Sequence, residues 1–485
     1  MWLLALGALA IVLVWLVRVN SAMHSVPEEV RKLSPRRWTN DELWDTYNRL
    51  KQTPIDFRKL LPPRLERRYV VVGGSGLVGG DIVLQLLQRG ESPESIRVVD
   101  FVPLNRRDML DAAAGCDFVK ADITSRSSVE AAFARPWPES VAGRPLTVFH
   151  TAAIVRPQER SPLIYHRISR VNRDGAINVL EAAKAAGADI FIATSSASCS
   201  IIPPGWWVWP WQSTPENYFQ IATEKDFYAP LRPHNRFFSN YARAKAEAER
   251  AVCAANQEGF RTGTVRPGNP IYGQKSDPVV GILLRMGDNV SWIPHIVQNF
   301  VNSRNVALAH LQFEAVLAQT DKPMPTCAGR TFNVTDEGPP PAFADIYAAT
   351  QGLSATRVRV TFQNPLVLFL LAHAVEAWCL LLARLPFLTK LGLREPSGPL
   401  HMLQPSVWSV AIHALIDDSQ ARKSVAEGGI GYRAACTTLE GVCEEILEWN
   451  REHEGHGGGG GDAAVKEGPD GKVAKAALTA KGVVA

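Results

Sequence analysis

The chain has 485 residues, of which 46% are hydrophobic, enough for one large core or two smaller ones. Its 52 Lys and Arg against 48 Asp and Glu leave a net charge of +4, which argues against nucleic-acid binding through bulk positive charge. The seven cysteines form no CxxC pair, so we predict reduced thiols facing the cytosol and neither a disulfide framework nor a metal site.

The N-terminal segment is an uninterrupted apolar run over residues 2–17, about 24 Å long as a helix and slightly short of a ~30 Å hydrocarbon core. No Lys or Arg precedes the run, whereas basic residues follow it, which favours an uncleaved anchor with its C-terminal side in the cytoplasm. A cleaved signal peptide and a buried or interfacial helix are the alternatives. We therefore predict a membrane anchor over residues 1–20 and a juxtamembrane linker over 21–66.

A glycine-rich turn follows the linker. The β-rich run 68–72 leads into Gly-Gly-Ser-Gly-Leu-Val-Gly over residues 73–79, and apolar residues then recur at helical spacing. This pattern predicts strand, turn and helix, in which glycines let the backbone approach a pyrophosphate and the helix N-terminus supplies free N–H groups. The predicted cofactor contacts are Gly73, Gly76, Leu77, Val78 and Gly79.

A carboxylate ends the second predicted strand. The predicted strand 96–99 is followed by Asp100, which lies 21 residues after Gly79. A carboxylate there can accept hydrogen bonds from the adenosine ribose and would repel a 2′-phosphate. The position favours NAD, with NADP left open; the alternative for Asp100 is an ordinary loop carboxylate.

Strands and helices continue to alternate along the chain. Apolar strand patterns at 118–119, 146–149, 190–193 and 262–265 are interleaved with helical patterns, the longest over 171–185. Such alternation predicts an α/β fold with a Rossmann-type, doubly wound parallel sheet, which we place in an NAD-binding domain over residues 67–275. Ligands of such sheets bind beyond the carboxyl ends of the strands.

The main chemical signal is Tyr241-Ala-Arg-Ala-Lys245. On a helix these two residues share a face, and a nearby ammonium group is expected to lower the pKa of the phenol towards neutrality. Ser195 and Ser196 end the strand over 190–193, so either could bind a substrate oxygen or merely cap the following segment. Alone, Tyr-x-x-x-Lys is often a coincidence; after a glycine turn it predicts catalysis.

Together these motifs resemble the extended short-chain dehydrogenase/reductase superfamily. Within it, the stretches VFHTAAIVRP, YARAKAEAERAV and TVRPGNPIYG are closest to the 3β-hydroxysteroid dehydrogenase family, especially its sterol-4α-carboxylate 3-dehydrogenases. The resemblance covers roughly residues 68–450. It implies that Tyr241 is the catalytic acid/base, that Lys245 holds the nicotinamide ribose, and that Ser196 binds the substrate hydroxyl.

The same resemblance implies further cofactor contacts and a function. Asp122 and Ile123 would contact the adenine, and Pro267 would lie beside the nicotinamide. The implied activity is NAD-dependent oxidation of a sterol or steroid 3β-hydroxyl, with or without loss of a 4α-carboxylate. The implied location is the endoplasmic reticulum membrane, near other sterol-pathway membrane enzymes.

Two rival functions remain at this stage. One is another reductase or epimerase of the superfamily, although two membrane-seeking segments disfavour a soluble sugar-nucleotide substrate. The other is a non-catalytic NAD(P)-sensing scaffold, which retention of the pair Tyr241 and Lys245 disfavours.

An insertion departs from the family pattern. Ser196 and Tyr241 are 45 residues apart, and the intervening segment 199–235 contains four tryptophans, at positions 206, 207, 209 and 211. We weigh three interpretations: a lid over an apolar substrate, a loop at the bilayer interface, where Trp is favoured, and a satellite hydrophobic cluster.

The C-terminal part, residues 276–453, is predicted to bind substrate. Its apolar segment 365–383 is interrupted by His373 and Glu376, and a carboxylate is costly at the bilayer centre. We therefore favour a helix lying against the membrane or lining the substrate entrance over a full span or a soluble core helix. The glycine-rich tail 454–485 is predicted to be disordered.

Overall fold

The computed structural model describes residues 1–319 and 323–453. The N-terminal region forms three helices, α1 (Trp2–Ala22), α2 (Glu28–Leu33) and α3 (Asn40–Gln52). The central region follows in chain order as β1 (Arg68–Val72), α4 (Leu77–Gln88), β2 (Ile96–Asp100), α5 (Arg107–Leu110), β3 (Asp117–Lys120), α6 (Arg126–Ala134), α7 (Glu139–Ala142), β4 (Leu146–His150), α8 (His166–Ser169), α9 (Ala176–Ala185), β5 (Ile190–Thr194), β6 (Phe219–Ala222), α10 (Lys225–Tyr228), α11 (Asn240–Ala254) and β7 (Arg261–Pro267).

The C-terminal region adds shorter strands and longer helices. Its elements are β8 (Ile271–Tyr272), α12 (Val280–Met286), β9 (Asp288–Ser291), β10 (Val301–Asn302), α13 (Ser303–Leu317), β11 (Thr331–Val334), α14 (Phe343–Leu353), β12 (Arg359–Phe362), α15 (Pro365–Arg384), α16 (Phe387–Lys390), α17 (Pro399–Met402), β13 (His413–Ile416), α18 (Ser419–Arg422) and α19 (Thr438–His453).

A seven-stranded sheet in the order β11-β7-β5-β4-β1-β2-β3 forms the centre of the protein. All of its neighbouring strands pair in parallel, so the predicted doubly wound Rossmann-type α/β fold is confirmed. The sequence of β1 explains its position inside the sheet. Tyr69 and Val71 pack into the core on one face, and Val70 and Val72 pack into the core on the other, so both faces of the strand are apolar and buried. The carboxyl ends of the strands therefore meet at one edge, where the site lies.

The long helix predicted over 171–185 is interrupted. A π-helical turn over residues 170–175 separates α8 from α9. Within it, the buried Asn172 accepts a hydrogen bond from the backbone N–H of Ile154 and donates one to its carbonyl, both at 2.9 Å. The periodicity of apolar residues predicts a helix but cannot indicate the extra residue in this turn.

The predicted linker over 21–66 is partly helical and packed against the body. Helix α3 begins with a capping box formed by Thr39 and Glu42 and buries Leu43, Tyr47 and Leu50 in the core cluster that also contains α14 and α19. Because its apolar residues recur at helical spacing, α3 has one buried face and one solvated face. Residues 40–52 therefore belong to the folded unit rather than to a spacer.

Two helices of the described chain, α1 and α15, are long and apolar enough to cross a membrane by length and composition. Almost all of α1 is exposed, with only Val19 and Ala22 buried within the helix. Helix α15 instead buries one face, including Phe369, Ala372 and Glu376, in the body. The predicted disordered tail, residues 454–485, lies outside the described residues.

Candidate active site

A cleft of about 990 Å³ opens at the carboxyl ends of the central strands. Every residue that the sequence predicts for the site lines this cleft: Gly73, Gly76, Leu77, Val78, Gly79, Asp100, Asp122, Ile123, Ser196, Tyr241, Lys245 and Pro267. Motifs spread over nearly 200 residues of the chain thus meet in one place because parallel strands all end at the same edge.

The turn between β1 and α4 requires glycine at two positions. Gly73 has a φ of +84°, and a Cβ there would lie 2.5 Å from the backbone nitrogen of Ala152. A Cβ on Gly79 would lie 2.2 Å from the carbonyl oxygen of Gly73. The turn is therefore tight enough to present the free N–H groups of the first turn of α4 to the cleft, which suits a pyrophosphate.

The outer side of this turn is held by Arg106, which sequence reasoning missed. Its guanidinium donates to the carbonyl oxygens of Gly76 and Leu77, at 3.1 and 2.8 Å, and pairs with the buried Asp81 at 2.6 Å. A Cβ on Gly80 would lie 2.4 Å from Arg106 Nη1, which explains why another glycine follows the turn. Gly80, the fifth glycine of the stretch 73–80, was the available signal in the sequence, but it did not identify Arg106 as its partner.

Asp100 is fixed at the end of β2 by backbone donors. The N–H groups of Ser75 and Val102 each donate to its carboxylate at 3.0 Å. A carboxylate can accept about four hydrogen bonds, so Asp100 keeps capacity for ribose hydroxyl groups. The geometry fits the adenosine ribose of NAD.

Asp122 and Ile123 form the wall of the cleft after β3. The carboxylate of Asp122 accepts hydrogen bonds from the backbone N–H and the hydroxyl of Thr124, at 2.9 and 2.8 Å. A Cβ on Gly175 would lie 2.8 Å from Ile123 Cδ1, so the π-helical turn before α9 approaches this wall closely. The arrangement suits a flat ring packed on Ile123.

Helix α11 presents Tyr241 and Lys245 together. It begins after Ser239, whose hydroxyl accepts a hydrogen bond from the N–H of Ala242 at 3.2 Å. Lys245 is buried, and its ammonium donates to the carbonyl oxygen of Thr194 at 2.8 Å. Burial lowers the pKa of Lys245 to about 8, against the raising influence of Glu249 and Cys199.

The expected lowering of the Tyr241 pKa is wrong for this structure. Burial of the hydroxyl raises the pKa of Tyr241 above its usual value, and only a hydrogen bond with Ser196 acts in the opposite direction. The sequence argument considered the charge of Lys245 but could not include the cost of removing a phenolate from water.

Ser196 is better placed than Ser195 to bind a substrate oxygen. Ser196 Oγ accepts hydrogen bonds from the Ser198 hydroxyl at 2.8 Å and the Ser198 N–H at 3.3 Å, so its own proton is available to donate. That proton faces Asn269 Oδ1 at 3.5 Å. Ser195 also lines the cleft, but its hydroxyl lies 3.7 Å from Cys199 Sγ. Sequence reasoning missed the supporting roles of Ser198 and Asn269.

Three potential metal ligands, Cys379, Glu395 and His401, come close together outside the cleft. Arg167 already forms two hydrogen bonds to the Glu395 carboxylate, at 2.7 and 3.2 Å. Arg156 Nη2 lies 3.3 Å from His401 Nε2, which favours a proton on Nδ1, the nitrogen that lies 3.9 Å from the Glu395 carboxylate. The group is accordingly a salt-bridge cluster that joins α15 and the following segment to the loop after β4.

Comparison with known proteins identifies relatives over most of this architecture. A model of the 3-beta hydroxysteroid dehydrogenase/isomerase family matches residues 70–354. Human sterol-4-alpha-carboxylate 3-dehydrogenase, decarboxylating, is 28% identical over 301 residues, which are 59% of this chain and 67% of the relative. A 3-beta-hydroxysteroid dehydrogenase of Mycolicibacterium neoaurum is 26% identical over 389 residues, covering 78% of this chain and 90% of the relative.

Solved structures share the fold at lower identity. The UDP-glucose 4-epimerase of Thermotoga maritima, solved with UDP-glucose, is 18% identical with a TM-score of 0.50, covering 80% of this chain and 99% of that one. An epimerase of Methanothermobacter thermautotrophicus is 15% identical with a TM-score of 0.52, covering 85% of this chain and 96% of that one. At these identities the likeness shows the fold alone.

Proposed function

This chain belongs to the 3-beta hydroxysteroid dehydrogenase/isomerase family, and we propose that it is an NAD-dependent dehydrogenase that oxidises the 3β-hydroxyl group of a sterol or steroid. The observation that carries the proposal is that Tyr241, Lys245 and Ser196 converge in the same cleft as the glycine turn and Asp100. The proposed acid/base group and the proposed dinucleotide-binding residues therefore face one cleft, where both can act on the same bound substrate.

Ser196, Tyr241 and Lys245 have separate proposed roles in removing the proton of the substrate hydroxyl. The hydroxyl of Ser196 donates a hydrogen bond to the substrate oxygen and orients it. Tyr241, as the phenolate, then takes the hydroxyl proton while the C–O bond gains double-bond character. Bound NAD supplies the hydride acceptor for C3.

Lys245 is the proposed electrostatic partner of the Tyr241 phenolate. Its ammonium is fixed by the Thr194 carbonyl, and Lys245 lines the same cleft as Tyr241 and the proposed cofactor contacts. Because burial raises the pKa of Tyr241, the positive charge of Lys245 has to offset part of the cost of forming the phenolate. Lys245 is thereby both a cofactor ligand and an electrostatic partner of the base.

A substrate with a 4α-carboxylate would need no further catalytic group. Oxidation at C3 makes a β-keto acid, in which the bond from C4 to the carboxyl carbon can break with its electron pair passing to the ketone as an enol. Carbon dioxide leaves, and the enol takes up a proton at C4. Oxidation therefore leads to decarboxylation with the dehydrogenase residues alone.

The proposed location is the endoplasmic reticulum membrane, with α1 as a single-pass anchor and the catalytic body in the cytosol. The exposed apolar surface of α1 supports an anchor, and the basic residues Arg31, Lys32, Arg36 and Arg37 after it support the orientation. Other sterol-pathway enzymes in the same membrane are proposed partners. Trypsin added to intact microsomes should digest the body; protection of the body until detergent is added would reverse the topology.

The activity test is NADH formation by the detergent-solubilised full chain. A 4α-carboxysterol, a 3β-hydroxysteroid without the carboxyl group, and UDP-glucose are compared with NAD and with NADP. NADH formed with either sterol supports a dehydrogenase, and carbon dioxide from the first identifies the decarboxylating branch. Silence with both sterols, together with interconversion of UDP-glucose, would favour the epimerase alternative.

Replacement of the base separates an enzyme from an NAD-sensing scaffold. Tyr241→Phe should lower turnover by about 10²- to 10⁴-fold because general base catalysis is lost, while NAD still binds. Tyr228→Phe is the matched control, since that ring is 61% exposed on the surface. Unchanged turnover in Tyr241→Phe would remove this residue from the mechanism.

A further inference from the structure

The tryptophan-rich insertion has an inner and an outer side. Trp206 and Val208 are buried at 6% and 1% exposure, whereas Trp209 and Trp211 are 61% and 77% exposed. The two outer rings stack on each other with centroids 5.4 Å apart and planes 3° apart. A satellite hydrophobic cluster accounts for the inner residues but not for a pair of indoles held in solvent.

The insertion is attached to the last turns of α1. The indole N–H of Trp15 donates to the carbonyl oxygen of Val208 at 2.8 Å, and Arg18 donates to the carbonyl oxygen of Gln212 at 2.6 Å. The rings of Trp15 and Trp207 also stack, with centroids 5.4 Å apart. The exposed pair is therefore fixed relative to α1 rather than carried on an independent loop.

These contacts set the depth of the pair relative to a bilayer. Arg18 is the first charged residue after the apolar run 2–17, and a guanidinium is costly in hydrocarbon. Arg18 therefore marks the level at which α1 leaves the acyl chains for the headgroups. Trp209 and Trp211 lie within three residues of Gln212, which accepts the hydrogen bond from Arg18 and a second one, at 2.7 Å, from the backbone N–H of Trp209. Indole rings favour the headgroup interface at this level.

We propose that Trp209 and Trp211 insert into the headgroup interface of the bilayer that α1 enters, giving the protein a second membrane contact beside its anchor. Helix α15 packs beside the insertion, because its buried Phe369 contacts Trp207 with ring centroids 5.5 Å apart. Two contacts fix the orientation of the catalytic body over the membrane, whereas an anchor alone would leave it free to tumble.

The lid interpretation is weaker on the same observations. Among the described residues that line the cleft around Tyr241, none comes from segment 206–212. The pair points to solvent rather than over the catalytic residues. The partner that fits stacked, exposed indoles beside an apolar helix and an arginine is the interface of a phospholipid bilayer.

A fluorescent label at position 211 tests the placement in the full-length protein. Trp211→Cys is made in a Cys116→Ser background, because the other six cysteines are buried, and is labelled with nitrobenzoxadiazole in phosphatidylcholine vesicles. Glu130→Cys on α6, in the same background, is the matched control. Emission at 211 should shift to the blue and fall about twofold or more when the phosphatidylcholine is brominated near the headgroup, with no change at 130.

Two results would overturn the proposal. One is a label at 211 that stays as aqueous as the label at 130 while the protein floats with the vesicles. The other is failure of the full chain to float with vesicles at all, because the depth argument requires α1 in the bilayer. A second label site, Trp209→Cys, guards against a local folding defect, and the fluorescence readout is independent of the proposed substrate.

Discussion

The nucleotide-binding half of this protein and the side that contains α1, α3 and the tryptophan-rich insertion are built from contacts of different range. In the first, β1, the glycine turn and α4 are consecutive in sequence, and their geometry depends on the close approach of Gly79 to the carbonyl oxygen of Gly73. In the second, hydrogen bonds join residues 403 positions apart, between Tyr47 and Asn450, and 193 apart, between Trp15 and Val208. A local pattern predicts the former, while only the folded chain reveals the latter.

The glycine turn offers the largest expected effect on the local side of this comparison. Gly79→Ala places a Cβ 2.2 Å from the carbonyl oxygen of Gly73, so the turn must open and misalign the N–H groups that face the pyrophosphate. NAD affinity, measured by titration, should fall about 100-fold or more. Gly143→Ala is the matched control, because nothing lies within 4 Å of its added Cβ. Equal NAD affinity in the two variants would show that the turn does not hold the cofactor.

Helix α3 tests the long-range side. Leu50→Ala removes a side chain that is 1% exposed, and the resulting cavity should lower the free energy of unfolding by about 2–5 kcal/mol. The control Leu33→Ala changes a leucine that is 46% exposed, and its cost should stay within about 0.5 kcal/mol. Denaturant titrations measure the free energy of unfolding of the two variants. Similar losses in both would indicate that residues 21–66 are a linker rather than part of the folded unit.

The lowered pKa of Lys245 predicts that the free energy of unfolding depends on pH. The pKa of Lys245 is about 8 in the folded state and 10.5 in the unfolded state. Below pH 8 the side chain is charged in both states, so folding must remove a cation from water, which costs about 3 kcal/mol. The penalty fades as pH rises from 8 to 10.5, since the unfolded chain alone then binds the proton. Relative to Lys245→Met, wild-type protein should therefore gain stability across this window. A pH-independent difference in thermal midpoint would contradict the burial of the charge.

Cofactor choice is the smallest expected effect. Asp100→Ser removes the negative charge that would repel a 2′-phosphate, while a hydroxyl can still accept a hydrogen bond from Ser75 or Val102. The preference for NAD over NADP, measured as a ratio of kcat/KM, should fall about tenfold. Asp111→Ser, at an exposed position outside the cleft, serves as the comparison variant. An unchanged ratio would assign the choice of cofactor to other residues.

The sequence predicted most of the sheet and the site because those features have local signals. Strands β1, β2, β4, β5 and β7 and the pair on α11 follow from runs of apolar residues and from i, i+4 spacing. Arg106, Asn172 and Asn269 were missed because each acts on a backbone or side chain far away in sequence. The Tyr241 pKa was misjudged for a related reason, since burial depends on the whole fold and not on the neighbouring Lys245.

The side that contains α1, α3 and the tryptophan-rich insertion shows the same limit. Apolar composition identified α1 and α15, but the docking of α3 and the attachment of the tryptophan-rich insertion to α1 depend on side chains that meet only after folding. The three interpretations of the insertion could therefore be ranked only once the exposure of Trp209 and Trp211 was known.

The central claim is that hydride leaves C3 of a sterol for NAD in the cleft that contains Tyr241. The most direct measurement uses a 4α-carboxysterol carrying deuterium at the 3α position, with mass spectrometry of the nucleotide after incubation with the full chain. The account predicts one deuterium in the reduced nucleotide for each ketosterol formed, and almost none with Tyr241→Phe. Bound NAD that acquires no deuterium from the sterol would contradict it.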